Sequence, residues 1–242
     1  MILVKPSFKI ESELDPFYII RHIEKAIKKS YKLEKENSYE EAQEYIRKRI
    51  RAGHTSVIEH FSFSVSFIVN RGFTHEIVRH RLASFTQEST RYCNYSKDRF
   101  GHHLTFIIPP WLNLEEGEYV LVKNNTSNVI EVYPSGSPFM YYSTEMKSLT
   151  VNGHRWLLNL LKSEEDYMDL IKDGWKPEQA RDILPHALKT EIFITANLKE
   201  WRWIFHERYS KAAHPQMIEM MGPLLEDLKN RLPVFFEDIN IR

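Results

Sequence analysis

The sequence predicts an α+β fold, with helices and strands mixed in no regular alternation. Three observations point there. Phe61-Ser62-Phe63-Ser64-Val65-Ser66-Phe67 alternates apolar and polar residues, the period of a half-buried strand. Pro16 to Ser30 instead follows the helical period, with Ile19, Ile20, Ile23 and Ile27 near one face. Neither a P-loop nor a glycine-rich dinucleotide loop is present, and the chain has only eight glycines, so the fold is not of the Rossmann type.

Ile2 to Ile10 reads as a short strand before the first helix. Ser38-Tyr39-Glu40-Glu41 has the spacing of a capping box and Gly53 marks a stop, which places a helix over about Tyr39 to Ala52. After the alternating strand, Arg71 to Ser84 reads as a helix, and Leu104 to Ile108 as a strand stopped by Pro109-Pro110. Glu118 to Val122 and Val129 to Tyr133 flank Asn124-Asn125-Thr126-Ser127-Asn128 and suggest a hairpin. Pro134-Ser135-Gly136-Ser137-Pro138 is the most linker-like stretch, too short to mark a boundary. Trp156 to Lys172 reads as a helix, and Pro177 suits the first position of a short helix through Leu184. Ile192-Phe193-Ile194 suggests a strand, and Lys199 to Ser210 and Pro215 to Arg231 two final helices. The chain is read as one domain over residues 1–242, with a variable insertion around 100–175.

Composition narrows the function. Hydrophobic residues make up 42% and charged residues 27% of the 242, enough for a packed core under a solvated surface. Lys+Arg and Asp+Glu each number 33, so no general attraction to nucleic acid or to an anionic membrane is indicated. The single cysteine, Cys93, rules out an intramolecular disulfide and a cysteine-rich zinc site. The N-terminus lacks the apolar core of a signal peptide, and no apolar run reaches the roughly 20 residues of a bilayer span. A soluble, cytoplasmic protein is expected.

One cluster carries chemistry. Consecutive helical residues point about 100° apart, so Arg79-His80-Arg81 cannot all face water beside Ile77, Val78 and Leu82. Guanidinium groups suit bidentate recognition of phosphate. Ser84, Thr86, Gln87, Glu88, Ser89, Thr90, Arg91 and Tyr92 follow as a run of donors and acceptors that suits a nucleotide; a solvated surface turn is the alternative. Further on, Trp201, Ile204, Phe205 and Arg208 form an i, i+3, i+4, i+7 stripe, and a charged residue closing such a stripe either snorkels outward or pairs with a buried anion.

Arg79-His80-Arg81, seven residues, then Ser89 matches the R-H-R-x7-S signature, so the chain resembles the flavin-dependent thymidylate synthases. Gly53-His54-Thr55-Ser56 with Glu59-His60, Pro177-Glu178 with Ala180-Arg181 and Leu184-Pro185, and Asn197, Arg208 and His214-Pro215-Gln216 extend the resemblance in pieces over about Arg51 to Met217. The resemblance implies the fold of thymidylate synthase-complementing proteins, with a mainly antiparallel sheet. It implies reductive methylation of dUMP to dTMP with FAD, NADPH and methylenetetrahydrofolate, in a homotetramer with shared sites.

It also implies roles. Arg79, His80 and Arg81 would contact FAD, with Ser56, Gln87, Asn197, Leu198, Lys199 and Trp203, and with His54 near the flavin ring. Substrate dUMP would meet Glu76, Ile77, Val78, Arg79, Gln87, Glu88, Ser89, Thr90, Arg91, Arg181 and Arg208. Arg208 would act in catalysis by stabilising negative charge on the uracil ring. Ser89 would lie near the reacting pyrimidine, where positioning is favoured over nucleophilic attack, since no histidine–carboxylate relay is evident beside it. The chain departs from the signature at Thr86-Gln87, where Asn-Glu is common, at Lys199, where some members carry arginine, and at Trp203, where some carry a polar residue.

Three alternatives stay open. One is a nucleic-acid-binding module built on Arg79, Arg81, Arg91 and Arg99 interleaved with Phe85, Tyr92, Tyr95 and Phe100. Another is a metal-dependent hydrolase using His54, His60, His75, His80, His102 and His103, although His54 and His60 are six apart rather than the four that share a helix face, and His102-His103 lacks a nearby carboxylate pair. The last is a family member that kept the fold and lost activity.

Overall fold

The computed structural model describes residues 1–34, 37–123, 130–134 and 150–241. In chain order it has strands β1 (Ile2–Val4) and β2 (Ser7–Ile10), helices α1 (Pro16–Tyr31) and α2 (Tyr39–Arg51), a 3₁₀ turn Thr55–His60, strand β3 (Ser62–Asn70), helix α3 (Arg71–Ile77) and strand β4 (Ser84–Gln87). Strands β5 (Thr105–Ile107), β6 (Gly117–Lys123) and β7 (Ile130–Pro134) follow, then helices α4 (Val151–Lys172) and α5 (Pro177–Ala180). Strand β8 (Lys189–Asn197) leads into helices α6 (Leu198–Arg208), α7 (Pro215–Arg231) and α8 (Pro233–Phe236). The mixed class holds. The chain divides into two compact units, one of Met1–Pro6, Ile68–Thr74 and Gln87–Glu191, the other of Ser7–Phe67, His75–Thr86 and Ile192–Arg242.

The first unit contains a sheet of order β5-β1-β6-β7. Strand β1 pairs parallel to β5, with Leu3 opposite Phe106, and antiparallel to β6, with Ile2 opposite Glu118. Strands β6 and β7 pair antiparallel with Val120 opposite Tyr133, as the hairpin reading expects; its connecting residues and most of the linker-like stretch lie outside the described residues. Leu3, Phe106 and Tyr119 pack with Leu157, Leu160 and Leu161 of α4. The N-terminal ammonium, buried with them, is held by Glu164 at 2.8 Å and the Tyr119 carbonyl at 3.1 Å.

The second sheet has the order β2-β3-β8-β4. The Leu198 N–H donates to the Phe61 carbonyl and Ser64 Oγ lies 2.8 Å from Thr195 Oγ1, so β3 and β8 run antiparallel. Phe63, Val65 and Phe67 are buried, as the alternation requires. Phe63 stacks on Trp201 of α6 with centroids 5.2 Å apart and accepts the indole N–H at its carbonyl. Ile19, Ile20, Ile23 and Ile27 of α1 are all buried. Ser38 and Glu41 form the expected capping box at 3.1 and 2.7 Å. Gly53 ends α2 at φ +77°, donating to Ile50 O while His54 donates to Arg49 O, the paired bonds of a Schellman stop.

Two expectations need correction. The stretch Ile2 to Ile10 is two strands in different sheets, broken at Lys5-Pro6, where proline lacks a ladder donor. The helix over Arg71 to Ser84 stops at Ile77. To continue, the His80 N–H would have to reach the Glu76 carbonyl; it bonds Ile77 O instead, and Glu76 O accepts from the Arg79 N–H and from Arg208 Nη2. Val78 and Leu82 are exposed, so their apolar spacing mimics a buried face that does not exist.

Candidate active site

Helix α6 is fixed at both ends. Asn197 caps it, its Oδ1 accepting the Glu200 N–H at 2.8 Å. Trp201, Ile204 and Phe205 are fully buried, which turns Glu200 inward near the start and leaves Arg208 at the last turn, where a cation is favoured by the helix dipole. Arg208 is partnered rather than snorkelling. Its Nε donates to His80 Nε2 at 3.0 Å, Nη1 to Glu76 Oε2 at 3.4 Å and Nη2 to the Glu76 carbonyl at 3.0 Å.

His80 sits under this guanidinium, only 5% exposed. Its Nδ1 lies 3.5 Å from Glu200 Oε1. Burial, then the adjacent Arg208 charge, bring its pKa from 6.5 down to about 4, against an opposing pull from Glu207. His80 is therefore neutral at physiological pH. The unfolded chain takes up a proton that folded His80 refuses, so this group's stability contribution is intact above about pH 6.5 and is lost as pH falls toward 4. Urea unfolding of the wild type should lose up to about 3 kcal/mol more than His80→Gln across that window. Equal losses in the two proteins would show that His80 titrates freely. Burial also raises the pKa of the Glu200 carboxyl, with Lys199 opposing.

Arg79, His80 and Arg81 on the turn face Lys199, Glu200, Arg202, Trp203, His206 and Arg208 of α6 across an open groove of about 650 Å³. Of the residues expected at a cofactor or substrate, this groove gathers Arg79, His80, Arg81, Lys199, Trp203 and Arg208. Trp203 is half exposed and stacks on His206 with centroids 5.0 Å apart at 10°. Lys199 Nζ is held by Glu59 Oε1 at 2.5 Å. Thr55 reaches the groove, while its neighbours His54 and Ser56 are exposed beside it and are not among the lining residues. Asn197 is spent as the helix cap, and Leu198 is buried with its N–H committed to Phe61 O. Ile77 is core, Val78 is exposed, and the Glu76 carboxylate serves Arg208.

The polar loop from Gln87 to Arg91 belongs to the first unit. Gln87 donates to Thr74 and Thr190 at 2.9 and 3.2 Å, a use an ionised glutamate could not make, which suits the departure from the signature. Glu88 accepts from Tyr95 OH at 2.9 Å and Lys189 Nζ at 3.3 Å. Thr90 accepts from Arg181 at 3.4 Å. Ser89 Oγ accepts the Arg91 N–H at 3.4 Å, and among the described residues no histidine or carboxylate pairs with it. Arg91 lies over the exposed Tyr92 ring and Arg99 over Phe100.

Cys93 is half buried, and burial followed by the Glu88 charge pushes its thiol pKa up, the reverse of what a thiolate nucleophile needs. Cys93→Ser should keep product formation within about twofold; loss of turnover in a folded variant would restore a thiolate route. Among the described residues no group of three or more His, Cys, Asp or Glu is placed to hold a metal ion, which leaves the hydrolase alternative without a ligand cluster there. No helix among them is long and apolar enough to cross a membrane.

Sequence reasoning missed Glu200, Arg202 and His206. Glu200 had a weak signal, its three-residue spacing from the Asn197 cap, but nothing local announces that its carboxyl is buried.

The model of the family of thymidylate synthase complementing proteins matches residues 18–234. The chain belongs to this family. Flavin-dependent thymidylate synthases from Pyrococcus furiosus and Pyrococcus abyssi are 27% and 28% identical to it, over 80% and 74% of this chain. The chain spans only 65% and 59% of the length of those two relatives. The enzyme from Clostridium tetani is 28% identical over 84% of this chain and 72% of its own. The crystal structure of the UMP/dUMP methylase PolB from Streptomyces cacaoi, bound with 5-Br dUMP, superposes with a TM-score of 0.69 over 98% of this chain and 96% of that one. At 17% identity it establishes the shared fold. Membership in this enzyme family speaks against a nucleic-acid-binding module.

Proposed function

We propose that this chain is a flavin-dependent thymidylate synthase that reductively methylates dUMP to dTMP, with methylenetetrahydrofolate as carbon donor and NADPH as reductant of FAD. The observation that carries this reading is the groove in which the Arg79-His80-Arg81 turn meets Arg208. The residues present suit a flavin nucleotide. A groove of about 650 Å³ accommodates a large ligand. Arg79, Arg81 and Lys199 supply cations for its phosphates, and the flat Trp203–His206 pair offers a face for a planar ring.

When bound, reduced FAD supplies the hydride and the folate supplies the carbon. The protein contributes position and charge. Arg208 carries more N–H groups than its three contacts use, and the remaining ones stabilise negative charge on the pyrimidine. Neutral His80 keeps a lone pair on Nε2 to accept from Arg208 Nε. Ser89 and Arg91 orient dUMP, and Arg181 takes its phosphate. A cytoplasmic homotetramer with shared sites completes the proposal; light scattering tests the assembly, and an active monomer would contradict it.

The direct test is the visible spectrum of the purified protein. Bound oxidised flavin that responds to added dUMP is expected. A protein that stays colourless with excess FAD would defeat the assignment.

A further inference from the structure

Glu200 takes no part in the roles assigned above, yet it is only 5% exposed, beside an imidazole that in turn holds the proposed catalytic arginine. A guanidinium can only donate, so the 3.0 Å contact from Arg208 Nε requires a lone pair on His80 Nε2. A neutral imidazole with that lone pair carries its proton on Nδ1, and Nδ1 faces Glu200 Oε1 at 3.5 Å. The opposite tautomer would set N–H against N–H at Arg208. The backbone of the histidine is held as well, its N–H on Ile77 O and its carbonyl accepting from Ala83.

We propose that Glu200 is a positioning residue, which through His80 Nδ1–H keeps Nε2 an acceptor and so fixes the direction in which Arg208 presents its guanidinium to the substrate ring. This rests on the reading of Arg208 as the group facing dUMP. One helix carries both ends of the device, Glu200 in its first turn and Arg208 in its last, and the turn after α3 supplies the imidazole between them. Glu200, Glu207 and Arg208 of α6 act on His80 directly, and Arg79, Arg81, Lys199 and Arg202 line the same groove. Glu76 fixes the far edge of the guanidinium, so the arginine is held from two sides.

The test uses flavin-loaded enzyme labelled with ¹⁵N-histidine. At neutral pH the His80 ring should be neutral with its proton on Nδ1. Glu200→Leu should shift it toward the other tautomer and lower kcat for dTMP formation at least about tenfold, while KM for dUMP changes less than about twofold. Glu200→Gln keeps an acceptor oxygen and should restore both the tautomer and turnover to within about threefold. A wild-type ring protonated on Nε2 overturns the proposal even if no variant folds. Unchanged tautomer and turnover in Glu200→Leu, or equal losses in the leucine and glutamine variants, overturn it too. A wild type that shows the Nδ1–H tautomer but makes no dTMP refutes the assigned reaction instead.

Discussion

Arg208→Ala should retain its flavin and lose about 10²- to 10³-fold in dTMP formation, the usual cost of removing one preorganised donor from developing negative charge. The side chain is held by three hydrogen bonds, to His80 Nε2, the Glu76 carboxylate and the Glu76 carbonyl, so the guanidinium is fixed before any substrate arrives. Alanine removes those donors and leaves the fold largely alone, because Trp201, Ile204 and Phe205 form the buried stripe and Arg208 lies at its solvent end. Arg208→Lys should recover little, since an ammonium cannot meet His80 and both Glu76 acceptors with the geometry of a planar fork. Anaerobic single-turnover assays separate the effects: flavin reduction by NADPH should be near wild type in both variants, and product formation slow. Wild-type product formation in Arg208→Ala would show that the groove's charge lies elsewhere.

Trp201→Ala should cost about 3–5 kcal/mol, a large share of the roughly 5–15 kcal/mol that holds a protein folded. Trp201 is fully buried, stacked on Phe63 and donating its indole N–H to the Phe63 carbonyl at 3.2 Å. Truncation opens a cavity and removes one hydrogen bond from a buried carbonyl. Trp203, two residues on, is the internal comparison: it is half exposed, and Trp203→Ala should change stability by less than about 0.5 kcal/mol while weakening flavin retention. Urea midpoints measure the first contrast, and the flavin-to-protein ratio of purified variants measures the second. Similar midpoints for the two variants would show that α6 is not anchored through Trp201.

Both predictions rest on features that were readable in the sequence to different degrees. The alternation of Phe61 to Phe67, the Ser38–Glu41 box and the Gly53 stop were legible because each is set by contacts a few residues apart, and the structure reproduces them. The Trp201, Ile204, Phe205, Arg208 stripe was legible as a helix face, but its two outcomes for Arg208 were separated only by the fold, which brings Glu76 and His80 to it from more than 120 residues away in sequence. The helix read over Arg71 to Ser84, which ends at Ile77, overran for the same reason: Arg208 takes a place on the Glu76 carbonyl, and no local pattern announces that competitor. Glu200 is the extreme case, since a glutamate three residues past an asparagine cap looks like an ordinary exposed first-turn acid until a histidine from another element covers it.

Dependence of thymidylate formation on the whole set of reactants tests the central claim most directly. Purified protein given dUMP, methylenetetrahydrofolate, FAD and NADPH under anaerobic conditions should form dTMP with one NADPH consumed for each product, and omission of FAD from flavin-stripped protein should abolish it. Thymidylate formed by flavin-free protein without NADPH, or none formed by flavin-loaded protein with every reactant present, would contradict the account.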